Sequence, residues 1–139
     1  MESRNEEEGT AIQLRDIMTT EVLTTSAERP VAEVTGMMVK ARVGSAVVMQ
    51  GSWLAGILTE RDVLRAAASG LDLTKSPVSQ WMTSDPMTAT PDTTIEEATD
   101  VMLRNGFRHL PVVESRELKG VVSIRDILSS GIRRRSKPE

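Results

Sequence analysis

Two short stretches carry the residue types best suited to chemistry. Thr59-Glu60-Arg61-Asp62 and Ser123-Ile124-Arg125-Asp126 each set a hydroxyl three residues ahead of an aspartate, with an arginine just before it. Each follows an apolar run opened by glycine, Gly56-Ile57-Leu58 or Gly120-Val121-Val122, and so reads as a corner where a strand passes into a helix. A helix start leaves backbone N–H groups without intrahelical partners. A carboxylate beside them can accept two hydrogen bonds from the cis-diol of a ribose. Arg61 and Arg125, with Arg108 and His109, would supply cations for a phosphate. Ile57 or Val121 would offer an apolar wall to a base. The same Ser/Thr-x-x-Asp spacing is also close to a helix capping box, in which an acidic group suits the helix dipole. Cap and ligand roles do not exclude each other.

Other chemistries are excluded by inventory. The 139 residues include no Cys and one His, which removes disulfides, thiolate zinc sites, cysteine nucleophiles and multi-His metal sites. A carboxylate-held Mg²⁺ remains compatible, for instance as a nucleotide complex. An aromatic content of 2% argues against stacking platforms for single-stranded nucleic acid. A net charge of -3 gives no bulk reason to expect nucleic acid or an anionic membrane as partner. No nucleophile–base pair, phosphate-cradling glycine loop or metal cluster accompanies the aspartates, so binding without catalysis is expected. Met1–Gly9 is acidic and lacks the apolar stretch of a signal peptide, and no apolar run approaches the roughly 18 residues of a membrane span. A cytoplasmic protein is the expectation. The basic run Arg133-Arg134-Arg135-Ser136-Lys137 reads as a solvated tail.

The elements that must position the two corners emerge from an internal repeat. An offset of 64 residues aligns Met18–Leu64 with Met82–Leu128 without a gap, with 12 identities in 47 columns. They include Met18/Met82, Thr19/Thr83, Glu33/Glu97, Met38/Met102, Gly56/Gly120, Arg61/Arg125 and Asp62/Asp126. Each copy reads as strand, helix, strand, strand, helix. Val22–Thr25 and Pro86–Ala89 open the copies as short strands. Val31, Val34, Met37, Met38 and Ala41 recur at helical spacing, as do Ile95, Ala98, Val101 and Met102. The second of these helices has a capping-box start, Thr94-x-x-Glu97; Pro30 stands where Thr94 does, so the first lacks that hydroxyl. Gly44 and Gly106 lie near the ends of the two helices. Ala46–Met49 with Leu54–Leu58, and Leu110–Val113 with Leu118–Val122, lie at hairpin distance. Glu60–Ala68 and Ile124–Ser130 are predicted as helices ending near Gly70 and Gly131. The methionines of the apolar stripes read as adaptable core filling. A unit of about 60 residues is marginal alone, so the two should fold as a pair around a pseudo-two-fold axis. The organisation is an acidic tail over 1–13, repeats over 14–70 and 78–131, a linker over 71–77 and a basic tail over 132–139.

The doubled unit resembles a pair of cystathionine β-synthase (CBS) domains, the tandem arrangement called a Bateman module, over roughly Leu14–Gly131. The resemblance rests on Ile17-Met18-Thr19 and Trp81-Met82-Thr83, on Arg108-His109-Leu110-Pro111-Val112-Val113, and on both Gly-h-x-Thr/Ser-x-x-Asp closings. It implies an α+β fold of two β-α-β-β-α repeats, a disc-like pair with two clefts, and a homodimer. It also implies ligands containing adenosine: AMP, ADP or ATP, or S-adenosylmethionine or NADH. In one implied site Asp62 holds ribose, Thr59 and Arg61 the ribose-phosphate side, and Ile57 the base, with Met82, Met87, Phe107, Arg108 and His109 opposite. In the other, Asp126, Ser123, Arg125 and Val121 take those parts, with Met18, Leu23, Val43 and Gly44 opposite. Arg108-His109 is matched by Gly44-Ser45, so the cations are unevenly supplied. Nucleotide-sensing relatives often carry a small hydroxyl residue where Arg61 and Arg125 stand. The resemblance implies a regulatory module without catalytic activity or cofactor, signalling to an effector protein or through oligomer state. A scaffold that needs no ligand is the alternative; it would require only the caps.

Overall fold

The computed structural model describes residues 11–136, with side chains as far as residue 131. The expected acidic and basic tails therefore lie largely outside the described residues. The first opening strand is shorter than expected, Thr24–Thr25 (β1). Helix Val31–Ala41 (α1) follows, burying Val31, Val34 and Met38 on one stripe. Pro30 occupies its N-cap without a side-chain bond, as the missing hydroxyl implies. Ser45–Gln50 (β2) and Trp53–Thr59 (β3) form the expected antiparallel hairpin, and β1 lies parallel to β2. Helix Glu60–Ala68 (α2) leaves the end of β3 directly. Thr83–Ser84 (β4) pairs antiparallel with β3 and completes a four-stranded sheet, β1-β2-β3-β4.

The second repeat builds the same helices and hairpin, Ile95–Asn105 (α3), His109–Glu114 (β5), Glu117–Ser123 (β6) and Ile124–Ser136 (α4), but the strand expected over Pro86–Ala89 is reduced to a single bridge at Ala89. Thr94 caps α3 in a capping box with Glu97, as its spacing predicts. Gly131 does not end α4, which continues to Ser136. Nothing in its backbone forces a stop, since its φ is not among the positive ones. The isolated bridges Ala89–Val112, parallel, and Thr19–Val121, antiparallel, reproduce the Thr25–Val48 and Thr83–Ile57 pairings at the 64-residue offset.

Compact units and sequence repeats do not coincide. One unit holds Glu21–Met87 with Arg116–Leu118; the other holds the described residues up to Thr20, Thr88–Ser115, and those from Lys119 onward. The residues just ahead of each opening strand, 12–20 and 76–84, thus serve the sheet and core of the other copy. Leu14 N–H donates to the Thr93 carbonyl and Ile95 N–H to that of Ile12. Val78 N–H donates to the Arg29 carbonyl and Val31 N–H to that of Ser76, the same pattern in the other unit. Leu14 is completely buried with Ile95, Ala98, Met102, Leu110, Val112 and Val122. Val78 is completely buried with Val31, Val34, Ala46, Val48 and Leu58. Each such side chain contributes about 1.5–3 kcal/mol relative to its exposed state. Linker residue Asp72 accepts from the Thr74 hydroxyl and amide, which holds its pKa below the ordinary 3.8.

Glycine makes the crossings possible. A Cβ on Gly56 would lie 2.7 Å from the Thr83 carbonyl oxygen and from Met82 Sδ. One on Gly120 would lie 2.7 Å from the Thr19 carbonyl oxygen and 2.9 Å from Met18 Sδ. A methionine tip can move, whereas a carbonyl held in a strand-like bridge cannot. Gly120→Ala is therefore expected to cost about 1–3 kcal/mol in urea unfolding. An unchanged midpoint would show that the Met18-Thr19 crossing does not need the glycine.

The two first helices end differently. Gly106 closes α3 at φ +74°, while Arg42, at the same repeat position, takes the left-handed conformation at φ +59°. A side chain there strains the backbone by roughly 1 kcal/mol. Arg42→Gly should raise the melting temperature by a few degrees in calorimetry, and a lower value would contradict the assigned cap.

Candidate functional site

Both Ser/Thr-x-x-Asp motifs sit at a strand–helix corner, where the hydroxyl ends the strand and the aspartate lies in the first helical turn. At the end of β3, Thr59 N–H donates to Asp62 Oδ2 at 2.9 Å, and the Thr59 hydroxyl donates to the same oxygen at 3.1 Å. Asp62 N–H returns a longer bond to Thr59 Oγ1. Asp62 is buried, with 6% of its surface exposed. Its second oxygen, Oδ1, accepts from Arg65 Nη1 at 3.1 Å. The Arg65 guanidinium lies 5.6 Å from the centre of the Trp81 ring.

The second corner repeats the cap. Ser123 N–H donates to Asp126 Oδ2 at 2.9 Å, and Asp126 N–H donates to Ser123 Oγ at 3.1 Å. Position 129, which matches Arg65, is Ser, and position 17, which matches Trp81, is Ile. Among the described residues, Asp126 Oδ1 has no hydrogen-bond or ion-pair partner.

The other predicted site residues distribute between the units. The unit of Asp62 also holds Ile57, Thr59, Arg61, Met82, Met87, Leu23, Val43 and Gly44. Ile57 is buried at 5% exposure, Arg61 and Met87 are exposed, and Met82, Leu23 and Val43 pack against the core. Glu60 N–H donates to the Gly44 carbonyl at 3.0 Å, and Val47 N–H to that of Leu23 at 2.9 Å. The unit of Asp126 holds Ser123, Arg125, Val121, Met18, Phe107, Arg108 and His109. Ile124 N–H donates to the Arg108 carbonyl at 2.9 Å. Phe107 and Met18 pack on that core, Arg108 and Arg125 are exposed, and His109 is half-buried at the start of β5.

These bonds set the Gly44 carbonyl beside the start of the Asp62 helix and the Arg108 carbonyl beside the start of the Asp126 helix, each within its own unit. The backbone before β2 or β5 runs alongside the first turn of the helix that follows the hairpin. Sequence reasoning passed over Arg65 and Trp81. The available signal was the three-residue step from Asp62 to Arg65 on one helix face, which the second copy lacks.

A strand–helix–hairpin–helix repeat closed by these corners defines a CBS domain, and the chain holds two. The CBS domain model matches residues 14–69 and 78–132, and the chain belongs to this family. It is 42% identical over 119 residues to an uncharacterized 17.7 kDa protein of Acidianus ambivalens, covering 84% of this chain and 71% of that one. It is 34% identical over 115 residues to the CBS domain-containing protein YhcV of Bacillus subtilis, covering 82% and 81%. Among solved structures it resembles a CBS domain protein from Pyrobaculum aerophilum complexed with AMP. That match has a TM-score of 0.77 and 32% identity, covering 83% of this chain and 89% of that one. No helix among the described residues is long and apolar enough to cross a membrane.

The caps have a measurable weight. Thr59→Ala should cost about 1 kcal/mol of stability and Thr59→Ser much less, because serine restores the oxygen that caps the helix. Equal urea midpoints for the two variants would show that the hydroxyl does not hold the start of α2.

Proposed function

We propose that this CBS pair is a regulatory module that binds adenosine-containing ligands at its two Ser/Thr-x-x-Asp corners. AMP, ADP and ATP are the foremost candidates, the last with or without Mg²⁺; S-adenosylmethionine and NADH are others. What carries the reading is the Asp126 carboxylate. One oxygen is committed to the helix cap and the other has no partner among the described residues. A carboxylate oxygen has two lone pairs, enough for the two hydroxyls of a ribose. The AMP complex of the Pyrobaculum aerophilum protein supports adenosine as the ligand class. Val121 and Ile57 would face the base, Thr59 and Ser123 the ribose, and Arg61, Arg125, Arg108 and His109 the phosphate side. Met18, Met82, Met87, Leu23, Val43, Gly44 and Phe107 would complete the surroundings.

The function is non-catalytic. Ligand binding would bias two states of the module, by no more than its differential affinity for them. The output would pass to an effector protein or to the state of a homodimer.

A thermal-shift panel of the five ligands tests this reading. At 100 times its Kd a true ligand adds about 2.7 kcal/mol to stability. The double variant Asp62→Ala, Asp126→Ala should lose that shift, and light scattering on the same samples reports any change of assembly. Silence from all five ligands at millimolar concentration would leave the module as a ligand-independent scaffold. An undiminished shift in the double variant would remove the aspartates from the site.

A further inference from the structure

The two corners share a cap but not the group beyond it. At the first, the outer oxygen of Asp62 is held by Arg65, which follows it by three residues on α2. The ion pair is half-buried: the Asp62 side chain is 9% exposed and that of Arg65 is 59% exposed. The guanidinium is also steadied by the Trp81 ring at 5.6 Å. Trp81 Nε1 is buried without a hydrogen-bond partner among the described residues, so the indole is held there by packing and by its contact with Arg65. At the second corner Ser129 and Ile17 occupy the corresponding positions and make no such arrangement.

We propose that Arg65 is an internal competitor for the ribose-binding oxygen of Asp62, so that the Asp126 corner is the stronger adenosine site and the Asp62 corner the weaker. The proposal rests on reading the aspartates as ribose acceptors. Asp62 Oδ2 already accepts two bonds from Thr59, so the diol must use Oδ1, where Arg65 takes one of two lone pairs. A ligand entering there must displace Arg65 from the carboxylate and shift it over Trp81. A ligand entering at Asp126 displaces nothing. Arg65 is therefore a specificity-determining residue that acts through Asp62, and Trp81 reports its position.

Calorimetric titration of the full chain with AMP tests this. The Asp126→Ala chain isolates the Asp62 corner, and adding Arg65→Ala to it should tighten AMP binding roughly two- to five-fold, the range for removing a partly exposed ion pair. In the Asp62→Ala chain, where only the Asp126 corner remains, Arg65→Ala should leave the AMP affinity unchanged. Fluorescence gives a second readout without touching Asp126. With Trp53→Phe leaving Trp81 as the sole indole, saturating AMP should change the emission, and Arg65→Ala should show the altered emission before AMP is added. Equal or weaker AMP binding after Arg65→Ala at the isolated Asp62 corner would overturn the competition. So would a Trp81 emission indifferent to both AMP and Arg65. Failure of every chain to bind AMP, the wild type included, would instead remove the ribose-acceptor reading and this inference with it.

Discussion

The absence of a side chain at Gly56 and Gly120 is the constraint on which the remaining structure depends. At each glycine a backbone carbonyl comes so near that an added Cβ would sit 2.7 Å away. That approach lets Thr83 pair with Ile57, and Thr19 with Val121. The opening segment then runs on into the core, where Val78 or Leu14 is fully buried. It also ties the start of the first helix of that unit, through Val31 to Ser76 or Ile95 to Ile12. Three residues past each glycine the strand ends at the hydroxyl of the corner. A displaced crossing would thus disturb the sheet, the core and the corner together, because native packing has little free volume to absorb it.

At the corners, one carboxylate has a duty in folding and, in the proposed function, a second in ligand binding. Oδ2 belongs to folding, since it satisfies the N–H of the cap residue and adds negative charge at a helix start. Oδ1 is not needed for that purpose. An aspartate can therefore be retained for capping while its outer oxygen is put to another use. The duties are coupled in experiment, because truncating the aspartate removes both. A cap is worth about 1 kcal/mol against a total stability of order 5–15 kcal/mol, so such a chain still folds and its binding can be read separately.

What was legible in the sequence was local or periodic. The helical stripes of Val31–Ala41 and Ile95–Asn105, the hairpins and the three capping boxes involving Thr59, Thr94 and Ser123 follow from spacing within a few residues. The offset of 64 also identified equivalent positions correctly, down to the paired bridges. Equivalence is not contact, however. The repeat pattern by itself does not say which sheet each opening segment joins, whereas the family resemblance sets Met18 with Val121 and Met82 with Ile57; in the fold Thr19 bridges Val121 and Thr83 pairs with Ile57. Nor does the pattern show that the carbonyls of Gly44 and Arg108 accept from Glu60 and Ile124. Their neighbours are set by a backbone bond from the first helical residue, which no side-chain type announces.

Side chains just outside the cap were illegible for a different reason. The cap constrains the hydroxyl, the aspartate and the backbone between them, and these are the features the two copies share. It places no demand on the residue three positions further on, so Arg65 and Ser129 can differ without changing how either helix begins. Nor does it bear on Trp81 or Ile17, which need only fill apolar space beside the crossing. The difference at position 65/129 acts on the outer oxygen of the aspartate without altering the cap. The two corners are thus equal as structural joints while the outer oxygen of the aspartate is engaged by an arginine at only one of them.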